Sequence, residues 1–128
     1  MDTIKEILGI HGFDSVEDMP ISYSIKLEVN GFMPLVIEKV DEHRLSVAHY
    51  HEQYGDLMRD PEIVFDSQVW VAVEYIQDPF VYQRDEGGLV KATAFALDTW
   101  DDNLRRQGFV EAAHAAASST SQTQEVTA

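Results

Sequence analysis

The stretch SYSIKLEVNGFMPLVIEKV, residues 22–40, decides the fold class. Its first half alternates, with Tyr23, Ile25, Leu27 and Val29 on one side and Ser24, Lys26 and Glu28 on the other. A period of two is the mark of a strand with one wet face. Asn30-Gly31 follows, a pair that adopts positive φ readily and therefore closes hairpins. MPLVIEKV (33–40) then returns as the partner strand.

The same logic extends outward in both directions. DEHR (41–44) is a turn and LSVAHYH (45–51) a third strand. EIVF (62–65) and WVAVEYI (70–76) are the fourth and fifth, joined by Asp66, Ser67, Gln68 and Val69. Short links between consecutive strands imply an antiparallel meander. QDPFVYQRDEGG (77–88), with Pro79 and Gly87-Gly88, reads as a polar loop.

Helical spacing appears at the two ends. DTIKEILGI (2–10) places Ile4, Ile7 and Leu8 together, and Asp2 or Thr3 suits its start. LVKATAFALDTWDDNLRRQ (89–107) carries an inward stripe of Thr93, Ala96, Leu97, Trp100 and Leu104. Arg105 and Arg106 complement the dipole at its end, and Gly108 suits the position after it. The expectation is an α+β fold, a five-stranded antiparallel meander sheet flanked by an N-terminal and a C-terminal helix. It forms a single domain over 1–114, with low-complexity residues 115–128 as a flexible tail.

Composition narrows the function classes. The chain has 128 residues, enough for one domain, and 45% are hydrophobic, enough for a core. There is no cysteine, which excludes disulfides, thiolate metal sites and a cysteine nucleophile, and which fits a reducing, cytoplasmic setting. No signal peptide and no apolar run of membrane-spanning length is visible, so no membrane is expected. The formal net charge is −14. Such a chain repels nucleic acid and anionic lipid and attracts basic partners, although acidity also serves solubility alone.

The densest chemistry lies in HYHEQYGDLMRDPE, residues 49–62. On a strand, His49 and His51 project from the same face. With Asp56, Asp60 or Glu62 they would make a nitrogen and oxygen shell for a divalent ion. The plainer reading puts both rings on the solvent side of an amphipathic strand, and it is preferred, with no cofactor expected. Residues 52–61 read as a rigid acidic loop, because Gly55-Asp56 suits a turn and Asp60-Pro61 starts one. The loop lacks the ligand spacing of an EF-hand and the glycines and lysine of a phosphate-binding loop. No G-x-S-x-G occurs, and no carboxylate pair is singled out for acid–base work, so no catalytic residue is assigned and no enzyme is expected.

The residues that fit recognition are Tyr50, Glu52, Tyr54, Asp56, Asp60 and Glu62 in this window, with Asp98, Asp101 and Asp102 on the second helix. Tyrosine beside acids is interface material, and neighbouring like charges on a helix are costly unless they serve a partner. A solvated face is the alternative.

SVAHYHEQYGDLMRDPEIVF (46–65) and LDTWDDNLRRQGFVEAA (97–113) resemble an uncharacterised family of small bacterial and archaeal proteins with the motif SVAHYxEQNGDLMxDPE. Many of its members are carried on plasmids, integrated elements or phages. Tyr54 departs from the family's Asn, and His51 stands at a variable position, which weakens a two-histidine metal site. The resemblance implies a mobile-element context and no activity. In that context one expectation is an acidic inhibitor of a nucleic-acid-binding host defence protein, an anti-CRISPR-like surface that mimics phosphates, with no direct nucleic-acid binding. The alternatives are an interaction protein of plasmid or phage maintenance with incidental acidity, or a metal or small-ligand binder at His49 and His51.

Overall fold

The computed structural model describes the backbone of residues 1–127 and the side chains of residues 1–118. A helix, α1 (Asp2–Ile10), and a short 3-10 turn (Val16–Asp18) precede the strands. These are β1 (Ser24–Leu27), β2 (Leu35–Asp41), β3 (Arg44–Gln53), β4 (Asp56–Asp66), β5 (Val71–Gln77) and β6 (Val81–Arg84). Each pairs antiparallel with the next, giving one open sheet in the order β1-β2-β3-β4-β5-β6. Helix α2 (Val90–Phe95), a π-helical turn (Ala96–Trp100), α3 (Asp101–Arg106) and α4 (Phe109–Thr127) complete the chain.

The sheet therefore has six strands where the sequence pattern indicated five. The missed strand, β6, lies within the segment read as a loop. All four of its residues are exposed, so it shows no alternation of apolar and polar positions, and Pro79 stands just before it. A second correction concerns residues 52–61. They are not a loop: β3 and β4 run on as a long hairpin closed by Tyr54-Gly55 alone, both at positive φ. Asp60-Pro61 starts no turn but sits at a bulge, where Ala48 pairs with Glu62 and Tyr50 with Arg59. A bulge accepts a residue with no N–H to give to the ladder.

One face of the sheet holds the core. Leu35, Ile37, Leu45, Val47, Ile63 and Phe65 are fully buried there, together with Ile4 and Ile7 of α1, Leu104 of α3 and Phe109 of α4. Burying each such side chain contributes about 1.5–3 kcal/mol over leaving it in water. The helical layer is tied internally by Asp101, whose Oδ1 accepts the Thr3 N–H at 2.9 Å. The Thr3 hydroxyl donates in turn to the Asp101 carbonyl at 3.0 Å. Buried Lys39 donates from Nζ to the Met19 carbonyl at 2.8 Å, joining β2 to the segment after the 3-10 turn.

In the helix that follows the sheet, the buried positions are Ala92, Ala96, Trp100 and Leu104, a constant step of four. Leu97, expected in the inward stripe, is exposed. The wider π-helical turn lets four-residue steps stay on one side, which an unbroken 3.6-residue period would not. Residues 115–128, expected as a flexible tail, continue α4 to Thr127, and their side chains from 119 onward lie outside the described residues.

Candidate functional site

Among the described residues the buried apolar side chains of the helices all join the core on the first face, while Ser46, Ala48, Val64 and Ile76 are nonetheless buried on the second face. By strand alternation the second face presents Lys26 of β1, Val36 and Glu38 of β2, and Ser46, Ala48, Tyr50 and Glu52 of β3. It continues with Leu57, Arg59, Glu62 and Val64 of β4, Glu74 and Ile76 of β5, and Tyr82 and Arg84 of β6.

At its centre lies an ion-pair network. The bulge at Asp60-Pro61 brings Arg59 and Glu62, three residues apart, onto the same face. Arg59 Nε donates to Asp78 Oδ2 at 2.7 Å and its terminal nitrogen to Asp78 Oδ1 at 3.0 Å, while Glu62 Oε1 stands 3.4 Å from the guanidinium. Glu62 also accepts a hydrogen bond from the Ser46 hydroxyl. The hydrogen bonds from Arg59 hold the Asp78 carboxyl below the usual aspartate range, and the same bonds raise the Arg59 pKa. Tyr50, directly opposite Arg59, has its phenol pKa raised by burial and then by the Glu62 charge.

The other bases of this face are also matched by acids. Lys26 pairs with Glu28 at 3.4 Å, Arg84 with Glu86 at 2.7 Å, and Arg44 with Asp66 and Glu86. Among the described residues, Glu38, Glu52 and Glu74 of this face stand in no such pair. The exposed face is thus net acidic.

The three upper turns of the meander lie at one end of the sheet, and each carries an exposed aromatic. Phe32, in the β1–β2 connection, is 48% exposed; Tyr54, at the β3–β4 tip, 98%; Phe80, between β5 and β6, 93%. Beyond His49 on β3 and Arg59 on β4, neither β2 nor β5 pairs with the central hairpin, so residues 51–58 project as a two-stranded arm. Leu57 is exposed on that arm. Beside its root, a concavity of about 450 Å³ opens on the sheet face, walled by Pro34, Val36 and Leu57 and rimmed by Tyr50, Glu52 and Lys26, with His51 also on its lining.

The sequence-selected residues are thereby sorted. Tyr50, Glu52, Tyr54 and Asp56 gather at the arm and its root, and Glu62 lies in the network on the same face. Asp60 is on the other face, where Gln77 donates to it, with Tyr75 OH donating to Gln77 Oε1 at 3.2 Å. Asp98 and Asp102 belong to the helical layer, Asp102 paired with Arg106 at 2.9 Å, and Asp101 is engaged with α1. Arg59, Asp78, Phe32 and Leu57 escaped sequence reading. Asp78 was hidden because it lies just beyond the end of β5, and Arg59 because the bulge was read as a turn.

The two histidines do share a face, but it is the helical one. His49 is 5% exposed, so its ring is not on the solvent side as expected. It stands 5.7 Å from Trp100, edge to face, and 5.7 Å from Phe109. Burial lowers its pKa, and its Nδ1 faces the Met33 and Pro34 carbonyls at 3.2 and 3.3 Å, which requires the proton on Nδ1. His51 Nδ1 is 3.4 Å from Asp60 Oδ2, too poorly aligned for a hydrogen bond. Among the described residues no group of three His, Asp or Glu side chains could hold a metal ion. The Ser46 hydroxyl is on the opposite face from His51, with Glu62. Among the described residues no helix is long and apolar enough to cross a membrane.

No curated protein and no solved structure matches the chain. A family model, described as Domain of unknown function (DUF6908), matches residues 2–110, which includes the whole sheet, the arm and the helices through α3. The chain belongs to this DUF6908 family.

Proposed function

We propose that the protein is an acidic protein-binding module that engages a basic partner through the upper rim of its open sheet. The observation that carries this reading is the placement of Phe32, Tyr54 and Phe80 at successive turns of one end, beside the unpaired acids Glu52 and Asp56. Large exposed aromatics supply contact area at low entropic cost, and the surrounding acids give charge selection and fast encounter. Tyr50, with its phenol beside Arg59 and Glu62, extends the surface down the sheet face.

The partner class that suits this surface is a nucleic-acid-binding protein, whose basic groove gains from carboxylates the neutralisation it otherwise takes from phosphates. A mobile-element-encoded inhibitor of a host defence protein, in the manner of an anti-CRISPR protein, is the specific form of this reading. Asp60, Asp98, Asp101 and Asp102, on other surfaces, fall outside the proposed contact. An interaction protein of plasmid or phage maintenance would use the same aromatics with less dependence on charge.

Photo-crosslinking residues introduced at positions 32, 54 and 80 test the reading, with positions 69 and 97 as exposed controls at the opposite end and on the helices. The three rim positions are expected to trap one common basic protein, with a yield that falls when salt or competing nucleic acid is present during irradiation. Capture equal at the control positions, or unchanged by salt, overturns it.

A further inference from the structure

We infer that the concavity at the root of the β3–β4 arm is a socket for an arginine side chain of the partner; this rests on the protein-binding reading and specifies its chemistry. The volume of about 450 Å³ is within the range of small-molecule sites and ample for one long side chain. Pro34, Val36 and Leu57 form apolar walls suited to the three-methylene stem, which buries apolar surface while its head stays polar.

The rim selects the head group. Tyr50 offers an aromatic ring and Glu52 a carboxylate that no base neutralises among the described residues. A guanidinium stacks on such a ring and bonds a carboxylate with two parallel N–H groups. Lys26 does not oppose this, because its ammonium pairs with Glu28 at 3.4 Å. Arg59, one register position beyond, is gripped by Asp78 and shows how this face already holds a guanidinium between carboxylates. A ligand carboxylate would instead meet Glu52 and Glu28, with Lys26 already paired to Glu28 and His51, also on the lining, 3.4 Å from Asp60, so an acidic guest is disfavoured.

Methyl NMR signals of Val36 and Leu57, followed as blocked single amino acids are titrated into the intact protein, test the socket directly. N-acetyl-arginine amide is expected to shift both, saturably, at about tenfold lower concentration than the citrulline equivalent, which has the same shape without the charge. Glu52→Gln should remove that preference, and Leu57→Ala should weaken both compounds while the preference remains. Equal binding of arginine and citrulline, tighter binding of blocked tryptophan or blocked glutamate, or no shift of these methyls overturns the proposal. Crosslinking at the rim separates the two readings. Rim capture without arginine preference defeats the socket and leaves the protein-binding reading standing; arginine preference without rim capture does the reverse.

Discussion

Arg59 and Asp78 are joined by backbone as well as by charge: the Arg59 N–H donates to Asp78 Oδ2 at 2.9 Å, and the Asp78 N–H returns to the Arg59 carbonyl at 3.0 Å. Asp78 follows the last residue of β5, so this exchange continues the ladder one step past the strand and fastens the base of the arm. Asp78→Ala removes the carboxylate and leaves the guanidinium beside Glu62 alone. The expected cost is about 2 kcal/mol in urea unfolding, whereas Arg84→Ala, whose pair with Glu86 is solvent-exposed, should leave the urea midpoint nearly unchanged.

The same pair shapes the acid limb. The pKa of Asp78 is lowered in the folded state, so its contribution is complete above its unfolded value of about 4 and is lost as pH falls below that. Urea midpoints measured from pH 5 to 3 are expected to fall less steeply in Asp78→Asn than in the wild type.

Histidine burial governs a second window. The pKa values of His49 and His11 are both lowered, chiefly by burial, so the unfolded chain takes up protons more readily than the fold. Stability is therefore expected to decline as pH drops below about 6.5. His49→Asn keeps a donor for the Met33 or Pro34 carbonyl and removes the titration. Its stability at neutral pH is expected to be lower, because the smaller side chain leaves space beside Trp100 and Phe109, but its loss between pH 6.5 and 5 should be smaller.

Tyr54 occupies the left-handed region, φ 53°, at the arm tip with almost no contacts. A bulky side chain there carries a conformational cost of about 1 kcal/mol that asparagine or glycine avoids. Tyr54→Asn is expected to raise the melting temperature by a few degrees, as a change of that size does in a domain near this length. Under the proposed function the same substitution weakens partner capture, so stability and binding should move in opposite directions.

Gly88 precedes the helix at φ 109°, and a Cβ there would lie 2.5 Å from Val71 Cγ1. Gly88→Ala is expected to cost about 2 kcal/mol or more in urea unfolding, from backbone strain and displacement of β5 together.

Much of the fold was legible because apolar residues alternate strictly where one face is buried. Tyr23 to Val29 marked its strand plainly, whereas Leu45 to His49 is buried at all five positions and alternates less strictly. The signal failed where burial does not distinguish the faces: β6 is exposed on both sides, and residues 51–58 project beyond their neighbours. The candidate site was half legible. Tyr50, Glu52, Tyr54 and Asp56 were visible as tyrosines among acids, but their assembly with Phe32, Phe80 and Asp78 depends on three turns meeting at one end. His49 was misplaced because a polar ring on a half-buried strand gives no sign of whether aromatics or water will face it. Asp101 looked like one of three surface acids, and only the arrival of α1 distinguishes it.

The π-helical turn at Ala96–Trp100 ties the length of the chain to the shape of its core. Along an α-helix each four-residue step overshoots a full turn by about 40°, so three steps from Ala92 to Leu104 would swing the last side chain about a third of a revolution away from the first. The wider turn absorbs that drift. Removing a single residue here, Thr99 for instance, would restore regular pitch and rotate everything downstream. Leu104, Asp101 with its hold on Thr3, and Phe109 against His49 would all be thrown off together. Between Phe95 and Asp101 the helix is therefore set by number of residues more than by their identity, like a gear that meshes only with its full count of teeth.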